Sequence, residues 1–151
     1  MMAAKHNDWL KDWLVIVNPN SGNGKGRRDW PQIRKILLKK GFAFQEKLTA
    51  YRGHAVQIAV DYISKWQIRK IVVVGGDGTL NEAANGIMLS GLASMDVSLA
   101  MIPLGTGNDW GRSYGVRGSY EYLANIIAAG NTFLQDAGRV DYSHNNEKVT
   151  R

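Results

Sequence analysis

The chain contains no cysteine among its 151 residues. This absence excludes disulfide bonds and thiol chemistry, and it fits a reducing compartment. No apolar run approaches the roughly 20 residues that a membrane-spanning helix needs, and the N-terminal residues lack the apolar segment of a secretory signal. The three histidines, His6, His54 and His144, are isolated, so no group of residues has the spacing of a zinc site. We therefore expect a cytoplasmic protein, and we assign no metal ligand.

The composition is that of a single globular domain. Hydrophobic residues make up 44% and charged residues 21% of the chain. The net charge of +6 favours anionic partners such as nucleotides, nucleic acid or an acidic membrane surface. Simple solubility explains this charge equally well. The basic residues are scattered and no basic-aromatic motif is present, so nucleic acid is not an expected partner.

Apolar runs alternate with amphipathic helical patterns along most of the chain. The predicted strands cover residues 13–17, 42–48, 68–74 and 97–102, and a helical pattern follows each of them. Alternating strands and helices predict an α/β fold with a mostly parallel sheet that is covered by helices. Ligands of such sheets bind at the carboxyl ends of the strands. We therefore look for function in the loops that follow the strands.

Three segments are predicted. Residues 1–12 form a flexible N-terminus, residues 13–130 form the α/β domain, and residues 131–151 begin a hairpin that has no partner sheet within the chain. We expect this last segment to be the start of a truncated, β-rich second domain. A face that such a domain would cover also predicts self-association as a homodimer.

The loop after the third strand is the clearest candidate for a phosphate site. Gly75, Gly76, Asp77, Gly78 and Thr79 connect a β-branched strand to an amphipathic helix. Free backbone N–H groups and the positive end of the helix dipole favour phosphate at such a turn. The glycines let a ligand approach the backbone closely. Asp77 would repel phosphate unless a cation lies between them, so it indicates Mg²⁺ or a hydrogen-bonding role.

A second glycine-rich loop follows the first strand. Gly22, Gly24 and Gly26 do not have the spacing of a dinucleotide fingerprint, and Lys25 is not followed by the hydroxyl residue of a Walker loop. A flexible connection is one interpretation. Ser21, Lys25 and Arg27 nevertheless suit phosphate contact at the start of a helix.

Two of the loops also have purely structural interpretations. Thr79 and Glu82 have the spacing of a capping box, in which the two side chains bond backbone amides at one helix start. Thr106 and Asp109 fit a looser version of the same motif in the loop after the fourth strand. Asn108 and Asp109 could equally orient a phosphate or a metal-bound water.

Taken together, four motifs resemble the catalytic domain of the diacylglycerol kinase family, in its bacterial soluble lipid kinase branch. They are residues 17–22 (VNPNSG), Thr49 with residues 53–55 (GHA), residues 75–82 (GGDGTLNE) and residues 103–109 (PLGTGND). The Gly-Gly-Asp-Gly-Thr motif alone is shared with NAD kinases and sphingosine kinases. The four motifs in this order are specific to the family, and the resemblance covers about residues 15–142.

The resemblance implies a Rossmann-like three-layer α/β sandwich that forms the nucleotide-binding half of a lipid kinase of phospholipid biosynthesis. It implies ATP and Mg²⁺ as cofactors, and a lipid substrate at a membrane surface, with peripheral membrane association. Asp77 would be catalytic or would position Mg²⁺. The implied nucleotide-binding residues are Asn18, Ser21, Gly22, Lys25, Thr49, Gly75, Gly76, Gly78, Thr79, Glu82, Gly105, Thr106, Asn108 and Asp109. The general base of the family lies in the second domain, so the chain alone is expected to be inactive.

Other functions remain open at this point. A sphingoid kinase shares the same phosphate loop, whereas the Asn18-Pro19-Asn20-Ser21-Gly22 loop argues against an NAD kinase. A non-catalytic nucleotide-binding module is the alternative from a different class of protein. The identity of the lipid acceptor does not follow from these residues.

Overall fold

The computed structural model describes residues 12–145 and 147–150, so that the predicted flexible terminus at residues 1–12 lies almost entirely outside the described part. The main elements are β1 (Trp13–Val17), α1 (Ser21–Lys39), β2 (Phe44–Leu48), α2 (His54–Trp66), β3 (Lys70–Gly75), α3 (Asp77–Leu89), β4 (Ser98–Pro103), α4 (Asp109–Ser113), α5 (Tyr120–Ala129), β5 (Asp141–His144) and β6 (Glu147–Thr150). A short 3₁₀ turn, Ser94–Asp96, precedes β4.

The first four strands form one parallel sheet in the order β2-β1-β3-β4. In the register of the sheet, Val15 is the partner of Glu46 on one side and of Val72 on the other. The predicted α/β class and parallel sheet are confirmed. Because all four strands run in the same direction, the loops after β1, β2, β3 and β4 meet at one edge.

Helices cover both faces of this sheet. Val15 and Val17 of β1 belong to the core cluster that contains residues of α1 and α5, such as Leu37 and Leu123. Leu14 belongs to the opposite cluster, together with residues of α2 and α3. Because side chains alternate along a strand, a strand between two helical layers must be apolar at every position. The predicted three-layer arrangement therefore follows from the continuous apolar runs.

The structure changes several boundaries of the predicted elements. β2 begins at Phe44 and β3 at Lys70, each two residues later than predicted. Pro103, which was predicted to begin a loop, is the last residue of β4. This strand is at the edge of the sheet, where proline is tolerated. Met88 follows the apolar pattern of α3 after Ala83 and Ile87, but 54% of its surface is exposed.

The C-terminal segment forms the predicted hairpin. β5 and β6 pair antiparallel, with His144 opposite Glu147. β5, the first strand of this hairpin, begins at Asp141, and the preceding residues 131–140 are neither helix nor strand. The division into two domains stays a prediction. In the described part of the chain, no helix is both long and apolar enough to cross a membrane.

Candidate functional site

A cleft of about 510 Å³ opens at the carboxyl edge of the parallel sheet. The loops after β1, β2 and β3 and the first turns of α3 form its walls. The lining residues are Asn18, Asn20, Ser21, Thr49, Ala50, Tyr51, Arg52, Gly76, Gly78, Thr79 and Glu82. Small and polar side chains dominate this set, so the cleft suits a polar ligand.

Asn18 joins the loops after β1 and β3. Its backbone N–H donates to the Val74 carbonyl at 2.9 Å, and its Nδ2 donates to Thr79 Oγ1, also at 2.9 Å. Its Oδ1 accepts from the Asn20 amide at 3.0 Å. These bonds hold Asn18 between the two loops, so its side chain connects two walls of the cleft.

The fold itself requires most of the loop glycines. Gly22 lies in a non-helical segment, residues 22–24, that interrupts the start of α1. It has a φ of +59°, and a Cβ at this position would lie 2.1 Å from the Leu104 carbonyl oxygen. A Cβ on Gly105 would lie 2.9 Å from Gly76 Cα. The loops after β1, β3 and β4 therefore pack backbone against backbone, and side chains at these glycines would push them apart.

Gly78 is different, because neither space nor backbone conformation requires a glycine there. A Cβ on Gly78 would meet no atom within 4 Å, and its φ is outside the left-handed region. It is the second residue of α3 and lines the cleft. The first amides of a helix have no partner within the helix, and the N-cap residue, Gly76, has no side chain to bond them. This end of α3 thus presents backbone donors to the cleft.

Asp77 has two backbone partners from the loop after β4. Its Oδ2 accepts from the Asp109 amide at 3.0 Å, and its Oδ1 accepts from the Trp110 amide at 3.1 Å. Asp77 therefore bonds the N-terminus of α4, and it is not among the residues that line the cleft. Sequence reasoning found no structural role for Asp77, because its partners lie more than 30 residues away.

Glu82 bonds the N-terminus of α2. Its carboxylate accepts from the Gly53 amide at 2.8 Å and from the Ala55 amide at 3.3 Å. The capping-box interpretation of Thr79 and Glu82 is wrong, because Thr79 lies inside α3 and its hydroxyl accepts from Asn18. Glu82 instead ties the loop after β2 to the wall of the cleft.

Among the residues that the structure describes, the acidic side chains do not form a metal site of their own. The described residues contain no group of three or more His, Cys, Asp or Glu side chains that could hold a metal ion. Each oxygen of Asp77 and of Glu82 already accepts from a backbone amide. Mg²⁺ is commonly held by one or two carboxylates together with the phosphates of a substrate. The chain therefore fits a magnesium ion that is carried by a nucleotide better than one held by the protein alone.

Seven of the predicted nucleotide-binding residues line the cleft: Asn18, Ser21, Thr49, Gly76, Gly78, Thr79 and Glu82. Seven others do not: Gly22, Lys25, Gly75, Gly105, Thr106, Asn108 and Asp109. Several of these seven residues instead shape the loops that surround the cleft. Asn108, for example, has a φ of +51° and donates from Nδ2 to the Gly105 carbonyl at 2.6 Å, which shapes the loop after β4.

Lys25 lies in a separate cluster that joins α1 to α5. Its Nζ is 4.0 Å from Asp29 Oδ2 and 5.8 Å from the centre of the Tyr120 ring. The Tyr120 hydroxyl donates to Asp29 at 2.6 Å. This hydrogen bond is the largest cause of the lowered pKa of Asp29. The pKa of Tyr120 is raised, mainly by burial and secondly by its hydrogen bond to Asp29. Lys25 therefore lies outside the lining of the cleft, and its phosphate contact stays a prediction.

Sequence reasoning missed two larger side chains at the cleft, Tyr51 and Arg52. Both follow β2, in the same loop as Thr49, and Arg52 adds an exposed positive charge to the rim. Their position directly after a parallel strand was the available signal. The lack of glycine before residue 53 made this loop look less like a phosphate loop.

Comparisons with known proteins agree with the fold and with the family that the motifs indicate. A family model described as the diacylglycerol kinase catalytic domain matches residues 12–140. YtlR of Bacillus subtilis (strain 168) is 32% identical over 110 residues, which cover 72% of this chain and 34% of YtlR. A diacylglycerol kinase of Staphylococcus saprophyticus is 32% identical over 127 residues, which cover 84% of this chain and 40% of that enzyme.

Solved structures give the same result. The crystal structure of a diacylglycerol kinase from Bacillus anthracis str. Sterne matches with a TM-score of 0.67 and 30% identity, over 80% of this chain and 43% of that one. The chain therefore spans between about a third and about two fifths of the length of these relatives, from 34% to 43%.

Proposed function

Because this chain belongs to the family of diacylglycerol kinase catalytic domains, we propose that it forms the nucleotide-binding half of an ATP-dependent lipid kinase. The proposed reaction transfers the terminal phosphoryl group of ATP to a hydroxyl group of a lipid. Phosphoryl transfer depends mostly on positioning and on neutralising the phosphate oxygens. The cleft supplies groups for both tasks, and we expect the chain alone to bind ATP and to transfer little phosphate.

The phosphates would lie at the N-terminus of α3. The first amides of this helix are unpaired within it, and the helix dipole places a partial positive charge there. The hydroxyl groups of Ser21 and Thr49 would donate to phosphate oxygens, and Arg52 would neutralise their charge. Bound magnesium would add positive charge between the phosphate oxygens. Asp77 would position the loop after β4, and a direct catalytic or magnesium-binding role for its carboxylate stays a prediction.

Gly78 is the observation that carries this proposal. Alanine is favoured over glycine by about 1 kcal/mol in a helix interior, and Gly78 lies in the first turn of α3. Packing gives no reason for a glycine at this position, since a Cβ would meet no atom within 4 Å. A ligand that approaches the backbone there gives a physical reason for the missing side chain.

The test replaces Gly78 with alanine and measures ATP binding by titration calorimetry and by amide NMR shifts. We expect the wild-type chain to bind ATP with shifts at residues 76–79, and Gly78→Ala to weaken binding at least tenfold. The same variant should unfold at a temperature equal to or higher than that of the wild type. Gly138→Ala is the control, because a Cβ at Gly138 also meets no atom within 4 Å and Gly138 does not line the cleft.

Two results would contradict the proposal. One is the absence of any response at residues 76–79 at millimolar ATP. The other is unchanged ATP affinity in Gly78→Ala, which would mean that the ligand does not approach α3 at this residue.

A further inference from the structure

Tyr51 presents an aromatic ring at the mouth of the cleft. The ring stacks on the imidazole of His54, with 4.5 Å between the ring centres and 12° between the ring planes. Although this neighbour covers one face, 59% of the Tyr51 surface remains exposed. The opposite face of the ring is therefore open, on a residue that lines the cleft.

The surrounding residues hold the stack in place. His54 is the first residue of α2, and its Nδ1 accepts from the Ala50 amide at 3.0 Å. The carboxylate of Glu82 bonds the amides of Gly53 and Ala55 on either side of His54. One hydrogen bond thus holds the imidazole itself and two hold the backbone on either side of His54, so Tyr51 packs on a supported ring. An exposed aromatic ring with such support loses little side-chain freedom when a ligand stacks on it.

We infer that Tyr51 is the stacking platform for the base of the bound nucleotide, an inference that rests on the proposed nucleotide-binding function. The strand order β2-β1-β3 separates the start of the Tyr51 loop from the phosphate end of the cleft by two strand spacings, or about 10 Å. One nucleotide can therefore place its phosphates at α3 and its base at Tyr51. Arg52, the residue after Tyr51, also lines the cleft, and its positive charge suits the phosphate chain.

This assignment separates two parts of the binding energy. Stacking of a base on an aromatic side chain contributes about 5- to 150-fold in affinity, and it does not depend on the phosphates. The phosphate contacts use backbone amides and polar side chains that Tyr51 does not touch in the hydrogen-bond network. A ligand with phosphates and no base should therefore ignore Tyr51.

The experiment compares ATP with inorganic tripolyphosphate, which lacks a base, as ligands of the full chain. Tyr51→Leu should weaken ATP binding by about 5- to 150-fold and leave the affinity for tripolyphosphate within about twofold. Tyr51→Phe should restore ATP binding, because it keeps the ring. Tyr122→Leu is the matched control, since Tyr122 is a similarly exposed tyrosine on α5. In the wild-type complex, the ring should also shift the adenine proton resonances of ATP upfield.

Each outcome has a distinct meaning. If wild-type chain binds neither ligand, the proposed nucleotide function fails and the inference falls with it. If ATP binds equally well to wild type and Tyr51→Leu, nucleotide binding stands and the platform is refuted. If both ligands weaken equally in Tyr51→Leu, the side chain shapes the loop and the stacking role is likewise refuted.

Discussion

Replacing Asp77 with alanine should destabilise the protein by releasing the N-terminus of α4. The substitution removes acceptors for the Asp109 and Trp110 amides, at 3.0 and 3.1 Å. Loss of a helix cap costs about 0.5–2 kcal/mol, and a hydrogen bond to a charged group contributes about 1.5–3 kcal/mol. The Asp109 amide is exposed, so water can replace its partner, whereas the Trp110 amide is partly buried. We therefore expect the free energy of unfolding to fall by about 1–2 kcal/mol.

Urea denaturation followed by far-UV circular dichroism measures this change, and a Tm lower by about 3–8 °C should accompany it. Amide NMR adds a local readout, because the Asp109 and Trp110 resonances should shift and their protons should exchange faster. Asp77→Asn keeps one oxygen acceptor, so about half of the loss should remain.

A matched control tests whether the effect is specific to Asp77. Asp109 is an exposed carboxylate in the same region and pairs with Arg112 at the surface, so Asp109→Ala should change stability by no more than about 0.5 kcal/mol. The reasoning is refuted if Asp77→Ala unfolds within about 0.3 kcal/mol of wild type and leaves both amide resonances in place. Such a result would free the Asp77 carboxylate for the predicted magnesium or catalytic role.

Two further predictions concern side chains that join distant elements. Glu82→Ala should lower the free energy of unfolding by about 1–2 kcal/mol, because α2 loses its N-terminal cap. Hydrogen exchange at the Gly53 amide should become faster. Unchanged exchange at this amide would contradict the capping role. The pKa of Asp29 is below its usual value of 3.8, mainly because the Tyr120 hydroxyl donates to its carboxylate. The ionised carboxylate therefore stabilises the fold above pH 3.8, and this contribution is lost as the pH falls through the lowered pKa. Tyr120→Phe should raise the pKa of Asp29, measured by carboxyl ¹³C shifts, and should reduce the loss of stability on acidification; an unmoved pKa would show that other groups lower it.

Strand and helix positions could be read from the sequence because they depend on local periodicity. The predicted strand at residues 13–17 is β1 without a change of bounds. A continuous apolar run of this kind is typical of a strand that is buried on both faces of the sheet. Burial of both faces in turn requires a layer of helices on each side. Boundaries were less certain, as at β2 and β3, since the end of a strand depends on what it pairs with.

The candidate site could be predicted only in part, for the same reason. Parallel strands bring their loops to one edge, so the Gly76–Gly78 region and Ser21 could be placed together from topology alone. The partners of individual side chains depend on contacts across 27 to 61 residues, as for Glu82 with Ala55 and Asn18 with Thr79. Local spacing therefore assigned Glu82 to its own helix, while the structure joins it to another.

By itself, the sequence determined the α/β class, the parallel sheet and the edge at which the loops converge, because each follows from periodicity and from the direction of the strands. The tertiary structure alone decided what each loop residue does. In the structure, the Asp77 and Glu82 carboxylates accept hydrogen bonds at helix N-termini. Lys25 pairs with Asp29, and Tyr51 lines the cleft. Hydrogen-bond partners and the space around a glycine are set by segments that are distant in sequence, and no local pattern encodes them.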